Sequence, residues 1–205
     1  MRKFLIIISS VILGSIVTGC QLDEQDQREP EMNETEATEN ESIEVNQETE
    51  EKSMHEINMI DREGIDIGTA TFKEGEGGVY IHLQAHHLPE GLHGFHIHEV
   101  GLCEAPDFES AGGHFNPDGK NHGFDDPEGP HAGDMENIEV AADGTVNIEK
   151  VNDRVTLEKD VPHSLFHEGG TTLMIHADPD DYVSQPAGDA GERIACGVIG
   201  DETEE

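Results

Sequence analysis

Seven residues of this chain combine a metal-binding side chain with a spacing that sorts them into two groups. His96 and His98 are separated by one residue, so on a β-strand both imidazoles project from the same face. By itself that pair is weak evidence, because a surface strand can carry two histidines. Further along, His114, His122 and His131 fall in a glycine-rich stretch, and Asp134 follows the last of them by three residues. Three imidazoles and one carboxylate make a closed tetrahedral set suited to zinc. His176 lies at the end of a later apolar run. With His96, His98 and a share in His114 it gives the all-imidazole environment that copper favours.

Side chains so far apart in sequence need a frame. Period-two alternation with β-branched residues predicts strands at 55–60, 67–72 and 78–83, each bounded by Gly, Asp or Glu turns. Further strands are predicted at 94–99, 138–142, 146–151, 173–177 and 193–199, with Asp143-Gly144 as a tight hairpin between two of them. Eight short strands with almost no helical periodicity imply an all-β sandwich or barrel. Two stretches do not read as strands: residues 101–136, rich in Gly, Pro, Asp, Asn and His, and residues 178–192. Loops of such length are uncommon unless functional or disordered, and the first carries many metal-ligand types.

The chain has 205 residues, 46 Asp+Glu against 11 Lys+Arg and a formal charge of −35, which argues against nucleic acid as a partner. Trp is absent and aromatics make up 4%, so one modest core is expected, while 13 histidines stand out in so acidic a chain. Residues 1–19 begin with Arg2 and Lys3 and continue through an apolar run, the pattern of a signal peptide. Val17-Thr18-Gly19-Cys20 resembles the bacterial lipobox, which implies lipidation at Cys20 and a membrane anchor on an exported protein. Residues 20–53 then read as an acidic, self-repelling tether. Residues 54–205 form the expected domain, with 33 acidic and seven basic residues and a formal charge of −26.

Four blocks carry a family resemblance. Gly94-Phe95-His96-Ile97-His98-Glu99, Ser110-Ala111-Gly112-Gly113-His114-Phe115-Asn116-Pro117, His131-Ala132-Gly133-Asp134 and Gly191-Glu192-Arg193-Ile194-Ala195-Cys196-Gly197-Val198-Ile199-Gly200 resemble the signatures of Cu/Zn superoxide dismutase, in family order. The likeness spans about residues 55–200 and implies an eight-stranded Greek-key β-barrel with two long functional loops. It implies one copper ion held by His96, His98, His114 and His176, and one zinc ion held by His114, His122, His131 and Asp134, with His114 bridging both. The zinc intervals of eight, nine and three residues are those of the family, and no ligand position is substituted.

The same resemblance makes Asp180 the carboxylate linking a copper histidine to a zinc histidine, His96 to His122. It pairs Cys103 with Cys196 in a disulfide and makes Arg193 the arginine that docks superoxide beside copper, with His114 catalytic in proton delivery. Residues 178–192 contain no lysine, and Gln185 stands where some bacterial relatives have one, so local steering of an anion is expected to be weak. Seven histidines match no ligand position: His55, His82, His86, His87, His93, His163 and His167 are expected at the surface. His86-His87 is not expected to chelate, since adjacent strand residues face opposite ways. The activity implied is superoxide dismutation at the cell surface by a monomer or homodimer. The alternative is a lipoprotein of the same fold that binds copper or zinc without turnover.

Overall fold

The computed structural model describes residues 54–200. The expected signal peptide, the expected lipidation at Cys20 and the expected acidic tether fall outside the described residues. Nine strands form among the described residues: β1 (Met54–Asp61), β2 (Asp66–Gly75), β3 (Gly78–Ala85), β4 (Gly91–His93), β5 (Phe95–His98), β6 (Ile138–Val140), β7 (Val146–Asn152), β8 (Thr171–His176) and β9 (Arg193–Ile199). A 3₁₀ turn spans Glu109–Ala111. All pairings between strands are antiparallel, seven strands running β5-β8-β9-β1-β2-β3-β7 and two running β4-β6.

The period-two signal maps directly onto burial. In β3, Val79, Ile81, Leu83 and Ala85 point inward while Tyr80 and Gln84 face out. Phe72, Met59, Ile67, Phe95, Ile97, Leu173 and Ile175 fill the same core. Burying each large apolar side chain contributes about 1.5–3 kcal/mol, and truncating Phe72 to alanine costs about 3–5 kcal/mol. β5 and β8 are buried on both faces: Phe95 and Ile97 enter the core, which leaves His96 and His98 to the opposite, loop-covered side.

Two details depart from the sequence reading. The strand expected at 94–99 is preceded by β4, and Gly94 separates the two because its N–H and C=O pair with Asp178 and His176 instead of continuing either ladder. Asp143-Gly144 does make a tight turn, closed by Gly144 N–H to Ala141 O. Its flanking strands then part, β6 pairing with β4 and β7 with β3, so the turn is a corner and not a β-hairpin. Turn chemistry is local, whereas the pairing partner is chosen by which strand edge is free. A third strand-free connection, residues 153–170, also escaped the sequence reading; it includes the Thr156–Ser164 bridge.

Candidate metal centre

Strands β5 and β8 and the first long loop bring together all seven predicted ligands, each of them buried. In the first group, His96, His98, His114 and His176 bring one ligand nitrogen apiece within 4.8 Å of one another. The His98 and His176 Nε2 atoms are 3.3 Å apart. In the second, His114, His122, His131 and Asp134 converge on the same criterion. Asp134 Oδ1 lies 2.8 Å from His114 Nδ1, 3.2 Å from His122 Nδ1 and 3.2 Å from His131 Nδ1. A tetrahedron with metal–ligand distances of about 2.0 Å has edges of about 3.3 Å, so this set is close to the size zinc requires.

In four of the rings the other nitrogen has a hydrogen-bond acceptor: His96, His98, His122 and His176. His96 Nε2 donates to Asp180 Oδ2 at 2.9 Å, and His122 Nε2 donates to Asp180 Oδ1 at 3.0 Å. Asp180 thus joins the two groups through the predicted histidines, and such contacts fix tautomer and ring orientation. His98 Nδ1 faces Gly112 O at 3.1 Å. Meanwhile His96 Nδ1 and His114 Nε2 are buried without a hydrogen-bond partner among the described residues, and His122 Nδ1 is buried with only the Asp134 carboxylate beside it. Unpartnered buried nitrogens are costly, and here each belongs to a ligand set, so the residues fit copper in the all-imidazole group and zinc in the other.

Electrostatics prepare both groups. Burial opposes ionisation of Asp134, yet hydrogen bonds from His114, His122, His131 and the Gly123 N–H hold its carboxyl far below the ordinary range. Asp180 behaves alike: burial pushes it up, and His122 and His96 bring it lower still. Burial lowers His98 well below its usual value, helped by His114 and His176, and lowers His114 to about 4 despite Asp134. It lowers His176 to about 2, with His96 and His114 adding to the effect. These three imidazoles are neutral at physiological pH, as ligation demands. For His122 burial also works downward, but Asp134 and Asp180 outweigh it and raise the value to about 9.

Arg193 opens β9, half-buried, and its two Nη atoms donate to Phe108 O and Gly112 O, both at 2.6 Å. Those carbonyls belong to the segment pinned by the Cys103–Cys196 disulfide, whose Cα atoms are 5.8 Å apart. Phe108, Ala111, Met174 and Cys196 form a small second core beneath it, with Cys103 packed alongside. Covalent bond, apolar cluster and carbonyls together hold the guanidinium.

Sequence reasoning missed several supports. His93 is buried, not superficial: Nδ1 lies 2.8 Å from His176 O and Nε2 lies 2.9 Å from Pro89 O. It buttresses the strand end that carries His176, and nothing in the local pattern marks such a pair of distant acceptors. His86 and His87 are exposed as expected, but they follow the end of β3 and His87 takes φ 63°, so their rings meet with Nδ1 atoms 3.0 Å apart. Arg154 donates to Asp134 O at 2.7 Å, and Asn137 both accepts from Asp180 N–H at 2.8 Å and donates to Asp180 O at 2.9 Å. Gly188, at φ 72°, lies against the Asp180–His122 bond; a Cβ there would fall 1.9 Å from Asp180 Oδ1.

Fold and site together define a β-barrel protein with two metal-binding groups that share one imidazole. The family described as copper/zinc superoxide dismutase (SODC) matches residues 67–199. A protein named superoxide dismutase [Cu-Zn] 1 from Aquifex aeolicus is 53% identical over 142 residues, covering 69% of this chain and 84% of that protein. The superoxide dismutase-like protein YojM from Bacillus subtilis is 44% identical over 147 residues, 71% of this chain and 75% of its own length. A crystal structure of a SOD-like protein from Bacillus subtilis superposes with a TM-score of 0.69 at 43% identity, covering 71% of this chain and 97% of that one. The chain belongs to the copper/zinc superoxide dismutase family, oxidoreductases that use copper and zinc.

Proposed function

We propose that this protein dismutes superoxide on the extracytoplasmic face of a bacterial membrane, where a lipid at Cys20 anchors it. The observation that carries the catalytic reading is an anchored guanidinium, Arg193, that shares the Gly112 carbonyl with His98 of a complete all-imidazole group, which in turn shares His114 with a complete zinc-type group. Copper held by His96, His98, His114 and His176 supplies one-electron exchange between two oxidation states, which zinc cannot. Two superoxide anions and two protons then yield dioxygen and hydrogen peroxide.

The residues divide the remaining work. Arg193 stays in place because two of its donors are already committed to carbonyls, and its remaining N–H edge is left to bind a small anion. His114 holds Nδ1 against the zinc-type group at 2.8 Å from Asp134, while Nε2 has no hydrogen-bond partner among the described residues. A proton accepted at His114 Nε2 is therefore available to the nascent peroxide. Asp180 keeps the rings of His96 and His122 oriented throughout.

The alternative is a metal-binding protein of the same fold without turnover, which similarity to a relative named only superoxide dismutase-like keeps in view. Superoxide consumption by the copper- and zinc-loaded protein, beside His176→Ala and with metals quantified, separates the two. Rapid turnover lost in the variant supports the enzyme; full copper occupancy with negligible turnover supports the alternative. For the anchor, Cys20→Ala is expected to move the protein from the detergent phase to the aqueous phase.

A further inference from the structure

Gln185 lies in the second loop, residues 178–192, which contains no lysine. Its amide is engaged at His122. Oε1 accepts from the His122 N–H at 2.9 Å, and Nε2 donates to the His122 C=O at 2.9 Å. The same Nε2 donates to Val183 O at 3.1 Å and lies 3.4 Å from Asp126 Oδ2.

His122 has need of such a partner. It sits in an irregular stretch and is followed by Gly123 at φ 98°, and among the described residues its peptide groups pair with no backbone group. A residue held there only by its ring would be free to rotate about its own backbone. Gripped at N–H, C=O and Nε2, the last by Asp180, the imidazole has one remaining direction for Nδ1, toward Asp134. Only a side-chain amide presents an acceptor and a donor side by side to one residue's N–H and C=O; lysine offers donors alone and glutamate acceptors alone.

We propose that Gln185 is a positioning residue for zinc, clamping the His122 backbone so that this ligand stays aimed and zinc leaves slowly. The proposal rests on the assignment of zinc to His114, His122, His131 and Asp134.

The test compares the wild-type protein with Gln185→Ala, Gln185→Lys and Gln185→Glu. Each is loaded with copper and with zinc or cobalt(II), and metal release into excess chelator is timed. Zinc release is expected to quicken about tenfold in Gln185→Ala, with Lys and Glu failing to restore retention because each can make only one of the two bonds. Copper release should hold constant, the cobalt visible bands should shift, and the melting temperature of the metal-free protein should stay within about 2 °C. A purely structural role would instead lower that melting temperature and quicken release of both metals together, which would overturn the proposal. Unchanged zinc release and cobalt bands in Gln185→Ala would overturn it as well. Failure of the wild-type protein to take up zinc or cobalt would overturn the underlying assignment along with it.

Discussion

Replacing both disulfide cysteines tests how far the reaction site depends on a distant constraint. Cys103 and Cys196 are 93 residues apart in sequence. Closing a loop of that size removes roughly 4–5 kcal/mol of chain entropy from the unfolded state at 25 °C. For a domain of this size each kcal/mol corresponds to about 2–4 °C, so Cys103→Ala/Cys196→Ala is expected to melt about 8–20 °C lower than the parent. Alanine is the substitution to use because Cys196 is fully buried in an apolar cluster with Phe108, Ala111 and Met174, where a hydroxyl would add its own cost. The structure adds a second consequence, since the carbonyls of Phe108 and Gly112 that hold Arg193 lie on the segment the disulfide pins. Turnover per bound copper should fall more than copper content, because of the four imidazoles only His98 hydrogen-bonds to that segment, at Gly112 O. Calorimetric melts of the metal-free proteins, with superoxide consumption normalised to copper, measure both effects. A fall in melting temperature under about 5 °C with undiminished turnover per copper would refute this reasoning.

Asp180→Ala removes the acceptor of both His96 and His122, so retention of copper and of zinc should each weaken about 10–100-fold in chelator competition, and unchanged retention of both would contradict the bridging role. In the metal-free protein, His98, His114 and His176 have folded values below their unfolded value, His114 at about 4 and His176 at about 2. Their contribution to stability is present above about pH 6.5 and lost as pH falls below it, whereas that of His122, raised to about 9, is full below pH 6.5 and lost as pH rises through 9. Melting temperature should therefore peak near neutrality and fall more steeply on the acid side; a flat profile from pH 7 to pH 5 would contradict the burial of those imidazoles. With a formal charge of −26 on residues 54–205 and no lysine in residues 178–192, added salt should raise superoxide turnover or leave it flat, and a steep fall between 20 and 200 mM would show attractive steering after all.

Much of this protein was legible in one dimension. Alternating apolar residues located the principal strands because a strand half-buried in a barrel must repeat with period two, as β3 does from Gly78 to Ala85. The candidate ligands, Asp180, Arg193 and the cysteine pair were named from a family resemblance carried by four motif blocks, and the structure brings the seven candidate ligand side chains together and joins Cys103 to Cys196. What needed tertiary structure was whatever depends on unlike segments meeting. His93 could not be recognised as buried until Pro89 and His176 presented their carbonyls. The Asp143-Gly144 turn could not be read as a corner until β6 and β7 had found different neighbours. Gln185 appeared only as a missing lysine, and its grip on His122 spans 63 residues of sequence. A ligand's identity is written in its side chain, but its aim is set by hydrogen bonds to peptide groups, and these leave no mark on the residues that supply them.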